Sequence, residues 1–179
     1  MENLKYKIQE QRNQKDEFFQ SNPRSPIPRE ERKDFDGLNY FSIKPGLRFE
    51  LKLKELEDKE KITVEDTKGE EQSFIRWGEF NFEINGEEQT LYTFKADSQE
   101  KRLWVPFKDK TNGDETYGAG RYLDLVPSEH KKNGKWVLDF NEAYSPSCAY
   151  NEDYVCPMIP SENWLEAEIK AGEKKYYDK

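Results

Sequence analysis

From Trp104 onward the sequence concentrates side chains that can do chemistry. Val105-Pro106-Phe107-Lys108-Asp109 is followed by Thr111, Asn112-Gly113 and the run Glu115-Thr116-Tyr117-Gly118-Ala119-Gly120-Arg121-Tyr122. If residues 120–126 are extended, Arg121 falls on the same face as Leu123 and Leu125. A guanidinium directed with apolar side chains needs a partner, because burying an isolated charge is costly. Asp139 or Glu115 is expected to supply one. Tyr117, Asn141, Tyr144 and Asn163 would complete a polar and aromatic ring around Arg121, suited to a small polar or anionic ligand. Two of Glu115, Asp139 and Glu162 could instead work as acid and base, one carboxyl raised by burial.

Other chemistries are poorly served. Asp109, Glu115, Asp139 and Glu162 would suit a hard cation, but no EF-hand or comparable ligand spacing is present, so no metal site is expected and no cofactor is named. Cys148 and Cys156 are too few for a thiolate-only zinc site or a disulfide scaffold, and read as small buried thiols. The lone His130 sits in the charged turn His130-Lys131-Lys132 and reads as a solvated side chain, which removes the simplest nucleophile–base triads. Gly118 and Gly120 around Ala119 point to a bulged strand entry or a close backbone approach.

Bulk composition narrows the partners. Lys and Arg number 29 against 37 Asp and Glu, a net charge of -8, which repels phosphate backbones and leaves no basic stripe for nucleic acid. The start is charged, and no run approaches the ~20 apolar residues that span a bilayer. A cytoplasmic location without membrane or nucleic-acid partners is expected. Hydrophobic residues make up 34%, below the typical ~45–50%. The aromatic share of 14% compensates, since each buried ring removes about 150–250 Å² from water.

The elements that must position these residues are mostly strands. Residues 3–20 predict an exposed helix with Leu4, Ile8, Phe18 and Phe19 as sparse apolar points. Asn22-Pro23-Arg24-Ser25-Pro26-Ile27-Pro28 forces an extended connector, and a turn of helix is expected over 29–33. Residues 1–35 are thus a helix and connector packed on a β domain at 36–179. Leu47, Phe49, Leu51 and Leu53 alternate with charged residues, and the pattern continues through 62–64, 74–77, 80–84, 91–94, 103–107, 122–126, 136–140 and 164–169. Asn85-Gly86 and Asn133-Gly134 mark reversals. The fold class is mainly β: an antiparallel β-sandwich or partly closed β-barrel of about ten strands with an N-terminal helix.

Several stretches carry a family resemblance: Phe41 to Ile43 after Gly37-Leu38, Pro106-Phe107-Lys108-Asp109, Glu115 to Leu123, Asp139-Phe140-Asn141, Ala143-Tyr144, Cys148-Ala149-Tyr150, Cys156-Pro157 and Glu162-Asn163. From about Arg12 to Glu173 the chain resembles the proteins grouped as domain of unknown function family 1684. It departs at Ser145-Pro146, where the family often reads Asn-Pro, and at Lys108, where Arg is common. The resemblance implies no activity. Three readings follow: a small-molecule binding protein centred on Arg121, a hydrolase or isomerase built on paired carboxylates, and a structural or protein-interaction domain whose polar cluster only fixes the fold.

Overall fold

Period-two patterning becomes antiparallel ladders in the computed structural model, which describes residues 2–177. Helix α1 (Glu2–Ser21) comes first, and nine strands follow among the described residues. They are β1 (Arg48–Leu51), β2 (Lys54–Glu55), β3 (Lys61–Glu65), β4 (Glu71–Ile84), β5 (Glu87–Lys95), β6 (Leu103–Phe107), β7 (Arg121–Leu125), β8 (Lys131–Lys132) and β9 (Lys135–Asp139), with a one-turn helix α2 (Pro127–His130) before β8. One sheet runs β2-β4-β5-β6-β7 with β3 also paired to β4, and the other runs β1-β9-β8. Every strand pairing in them is antiparallel. The fold is mainly β, and among the described residues neither ladder closes into a barrel.

The two sheets share one core. Phe80, Phe82, Leu91, Val105 and Phe107 of the larger sheet meet Leu138 of β9 and the adjoining Phe140. Phe49 of β1 lies 5.0 Å from Phe82, and Phe107 meets Phe140 edge-on at 5.2 Å. Edge-to-face rings at such distances add roughly 0.5–1.5 kcal/mol each beyond area burial. A low aliphatic content therefore suffices.

Two strand expectations change. The runs at 74–77 and 80–84 belong to one long strand, interrupted by a bulge between Arg76 and Gly78. The expected strand at 164–169 has the right alternation, with Leu165, Ala167 and Ile169 buried and their neighbours exposed, but it joins no sheet. It touches β6's end through the Lys108–Trp164 bridge, the Leu165 N–H to the Lys108 carbonyl (2.8 Å) and the Lys110 N–H to the Ala167 carbonyl (3.0 Å). Beyond that, side chains replace the ladder.

The replacement is centred on Arg121, whose exposure is 0%. Its guanidinium donates to the carbonyls of Ile169 (2.7 Å), Ala171 and Glu173 (3.1 Å) and to Asp109 Oδ1 (3.3 Å). The expected partners were Asp139 or Glu115; the partner found is Asp109. The register of β6 on β7 sets Phe107 opposite Arg121, which brings Asp109, just past β6, to the guanidinium. Asp109 Oδ2 in turn accepts from the Ile169 N–H (2.7 Å) and the Thr111 hydroxyl (2.8 Å). Burial pulls the Arg121 guanidinium downward, and the Asp109 carboxylate opposes this.

Gly120 admits this approach. It has φ +100°, and a Cβ there would stand 2.8 Å from the Phe107 carbonyl oxygen and 2.1 Å from Ile159 Cδ1. At Gly118 the nearest atom would be 3.8 Å away. Gly120→Ala is expected to cost about 2 kcal/mol or more and Gly118→Ala less than about 0.5 kcal/mol, measured by urea unfolding. Equal costs would remove the close-approach account. In the same assay Arg121→Met should lose about 3–5 kcal/mol, because three carbonyls and a buried carboxylate lose their donor.

Candidate functional site

Helix α1 lies across the body on a stripe at i, i+4, i+7 and i+11: Ile8, Arg12, Lys15 and Phe19. Ile8, Arg12 and Phe19 are buried. Phe19 packs edge-on against Tyr150 at 5.0 Å and joins a small core with Ile27 and Phe35. Arg12 and Lys15 lie between these apolar anchors, so docking the helix carries two cations inward. They line a cavity of about 250 Å³ with Tyr40, Glu142, Tyr144 and Glu173.

Most polar groups of this cavity are already committed. Glu173, 1% exposed, accepts from Lys15, from the Tyr150 hydroxyl and from the Ser145 N–H at 3.0 Å. Glu142 takes the His130 Nε2 at 2.8 Å and Gln11 Nε2 at 3.3 Å, with Lys7 3.5 Å away. Asp124 is paired with Arg102 at 3.0 Å and with the Tyr144 hydroxyl. Lys15 also lies 4.8 Å above the Tyr144 ring.

Arg12 is the exception. It is 8% exposed, its Nη1 donates to the Phe41 carbonyl at 3.0 Å, and its guanidinium carbon sits 4.4 Å from the Tyr40 ring centre. Its Nε and Nη2 are buried without a partner, as are the Tyr40 hydroxyl and Gln11 Oε1. Burial pulls the Arg12 guanidinium downward against the attraction of Tyr40 and Glu173, and pushes the Tyr40 phenol up, so Tyr40 stays a neutral donor.

Of the residues expected to bind ligand, Asn141 and Tyr144 reach this cavity and Tyr117 lines a second one. Arg121 and Asn163 line neither. Asn163 is fully engaged: its amide oxygen accepts the Tyr92 N–H at 2.8 Å, and its NH₂ donates to the Tyr92 and Pro106 carbonyls at 2.9 and 2.7 Å. It acts as a rung between β5 and β6 beside Pro106, which has no N–H to give. Asn141 is similarly spent on both backbone groups of Lys44 and on Asp139.

The three carboxylates considered for acid–base work are not brought together in either cavity. Glu115 pairs with Lys170 at 2.9 Å, Asp139 with Arg48 at 3.5 Å, and Glu162 with Arg76. Burial pushes the Asp139 carboxyl up, against the hydrogen bonds of Asn141. His130, expected in solvent, is 6% exposed. Helix α2 turns it inward, where Nδ1 lies 3.2 Å from the Val126 carbonyl, to which it donates when the ring is charged, and Nε2 faces Glu142 at 2.8 Å. Sequence reading missed Arg12, Lys15, Tyr40, Glu142 and Glu173. The available signal was the phase of Arg12 and Lys15, which share the helix stripe of Ile8 and Phe19.

No group of three or more His, Cys, Asp or Glu among the described residues is placed to hold a metal ion, and no described helix is long and apolar enough to cross a membrane. The solution NMR structure of the uncharacterized protein from gene locus rrnAC0354 of Haloarcula marismortui is similar to this chain, with 38% identity and a TM-score of 0.75 over 99% of this chain and 97% of that one. Among curated proteins no match is found. A family described as "Protein of unknown function (DUF1684)" matches residues 33–174, which include all nine described strands and not α1. With that match spanning most of its length, the chain belongs to the DUF1684 family.

Proposed function

We propose that the protein binds a small anionic molecule, one bearing a carboxylate or phosphate group, in the cavity between α1 and the β body, with Arg12 as the anchor. The carrying observation is the buried Arg12 guanidinium with Nε and Nη2 unpartnered. These two nitrogens form one edge of the planar group, and their parallel N–H bonds match two oxygens of a carboxylate or phosphate. An uncompensated edge of this kind is expensive to keep buried. A ligand oxygen pair supplies what the fold leaves out.

The remaining groups favour the same class. Three cavity carboxylates, Asp124, Glu142 and Glu173, are held by Arg102, His130 and Lys15, so their charges are largely cancelled before a ligand enters. The Tyr40 hydroxyl supplies a further donor, and the Tyr144 ring an apolar wall. A volume near 250 Å³ lies just below the ~300–1,000 Å³ of drug-sized sites and suits a compact metabolite. The reading keeps the small-ligand expectation and moves its anchor from Arg121, whose guanidinium the fold consumes, to Arg12. Acid–base catalysis is less well supported, since His130 has both ring nitrogens engaged.

Thermal-shift and calorimetric titration with phosphate, sulfate, acetate and succinate tests the reading. An anion at a hundred times its dissociation constant adds about 2.7 kcal/mol, or roughly 5–10 °C for a chain of this length. Arg12→Met should abolish that response while changing unliganded stability by no more than about 1 kcal/mol, because the lost Phe41 contact is offset by relief of the orphaned edge. A response that survives in Arg12→Met, or a wild type unmoved by every anion, would sink the assignment.

The His130–Glu142 pair gives a separate signature. Burial opposes charge on both groups, but their mutual hydrogen bond and attraction prevail, raising His130 above its ordinary 6.5 and lowering Glu142 below its ordinary 4.5. A raised histidine stabilises fully below 6.5 and loses its contribution as pH climbs through the folded value. A depressed carboxyl stabilises fully above 4.5 and loses it as pH falls. The pair therefore contributes most between these two ordinary values. His130→Gln should lower the melting temperature most near pH 5.5, with the gap to wild type closing by about pH 9. A gap independent of pH would refute the ionic account.

A further inference from the structure

The second cavity, about 620 Å³, is bounded by the 113–118 turn, the 148–153 loop and Lys175 to Tyr177. Cys148 lines it, and its sulfur accepts the Tyr117 hydroxyl at 3.7 Å. Behind it sits Cys156, 7% exposed. The turn at Ser147–Ala149 aims its leading amides at the Cys156 sulfur, with the Cys148 N–H at 3.3 Å. Cys156 is fixed from the other side, where its N–H donates to Thr67 Oγ1 at 3.2 Å and its carbonyl accepts the Thr67 N–H at 3.0 Å. Both cysteines are free thiols.

We propose that Cys148 and Cys156 form a redox couple that converts reversibly between dithiol and intramolecular disulfide, by exchange with a low-molecular-weight cationic disulfide entering through the second cavity. The sulfurs already interact: the Cys148 thiol is the leading influence that lowers Cys156, to about 7, and Cys156 the leading one that raises Cys148. Inert buried thiols sit in apolar surroundings and titrate high, whereas amide donors around a sulfur favour the thiolate. Of the two, Cys156 is the more readily ionised. The cavity wall carries Glu31, Glu152 and Asp153 against Lys175, which selects cationic over anionic reagents.

The exchange balances as follows. The Cys148 thiol gives its proton to the Cys156 thiolate, and the Cys148 thiolate so formed attacks one sulfur of RSSR, expelling RS⁻ and leaving a Cys148–SR mixed disulfide. Cys156 then gives its proton to the departed RS⁻ and attacks the Cys148 sulfur, expelling the second RS⁻. Two electrons leave the protein as one S–S bond forms, and RSSR becomes RSH and RS⁻. Cys148 is the entry sulfur because it lines the cavity, and Cys156 resolves.

The test treats the full reduced chain with cystamine or with oxidised glutathione, quenches in acid, alkylates and measures intact mass. Wild type should lose the mass of two hydrogens, protect both cysteines from alkylation, regain both thiols with dithiothreitol, and react on the order of tenfold faster with cystamine. Cys156→Ser should stall as the mixed disulfide on Cys148, and Cys148→Ser should react on the order of tenfold more slowly than Cys156→Ser. Stable mixed disulfides or covalent dimers from wild type, or no reaction in the folded protein, would overturn the couple. Equal rates for the two single variants would overturn the assignment of the entry sulfur, and equal rates for the two reagents the cationic preference.

Discussion

A guanidinium with no access to water must find its acceptors inside the protein, and that demand organises this molecule. Arg121 has one carboxylate and three backbone carbonyls, and all three carbonyls belong to the segment 169–173. A strand in the usual sense would pair its carbonyls with amides of a neighbour; here a side chain collects alternate carbonyls from one edge while Asp109 takes the Ile169 N–H. The extended segment is thereby held in place where no ladder extends.

That placement reaches the candidate site through one residue. Fixing the Glu173 carbonyl on Arg121 and the Glu173 N–H on the Ala143 carbonyl at 2.9 Å directs the Glu173 side chain toward α1, where it meets Lys15. Two buried arginines therefore play opposite parts. The Arg121 fork is occupied by the protein itself, with its Nε alone left over beside Phe107. Arg12 keeps a whole edge unoccupied. That edge, Nε and Nη2, is what the proposed anion would fill.

Much of the β architecture is legible in the sequence because its signals are local. Alternation at Leu47 to Leu53 and reversal at Asn85-Gly86, where φ is positive at both residues, depend on neighbours within a few positions. Arg121 among apolar residues was also readable as a buried charge. Its partner was not, since Asp109 arrives through the β6–β7 register, a long-range property that spacing does not encode. The segment 164–169 misled for the same reason: alternation reports which side is buried, not whether an amide ladder exists. His130 misled because the lysines after it are exposed while Pro127, opening the turn, rotates it inward. The burial of Arg12 is hard to read because a charged residue in a polar helix is ordinarily solvated, and only its phase with Ile8 and Phe19 marks it.

The two cavities are separated by Tyr150. Its ring closes against Phe19 of α1, its hydroxyl donates to Glu173 in the first cavity, and its backbone belongs to the loop that begins at Cys148 and lines the second. The proposed Cys148–Cys156 linkage would act on the loop that carries Tyr150, whose hydroxyl is bonded to Glu173. Glu173 is also the partner of Lys15, one helical turn from Arg12. Coupling between the cavities therefore has a short physical route, through a packed ring and one charge-assisted hydrogen bond. Its size is bounded by the difference in how the two loop states hold Glu173. The buried Arg121 sits at the fixed end of this route, where it clamps the Glu173 backbone.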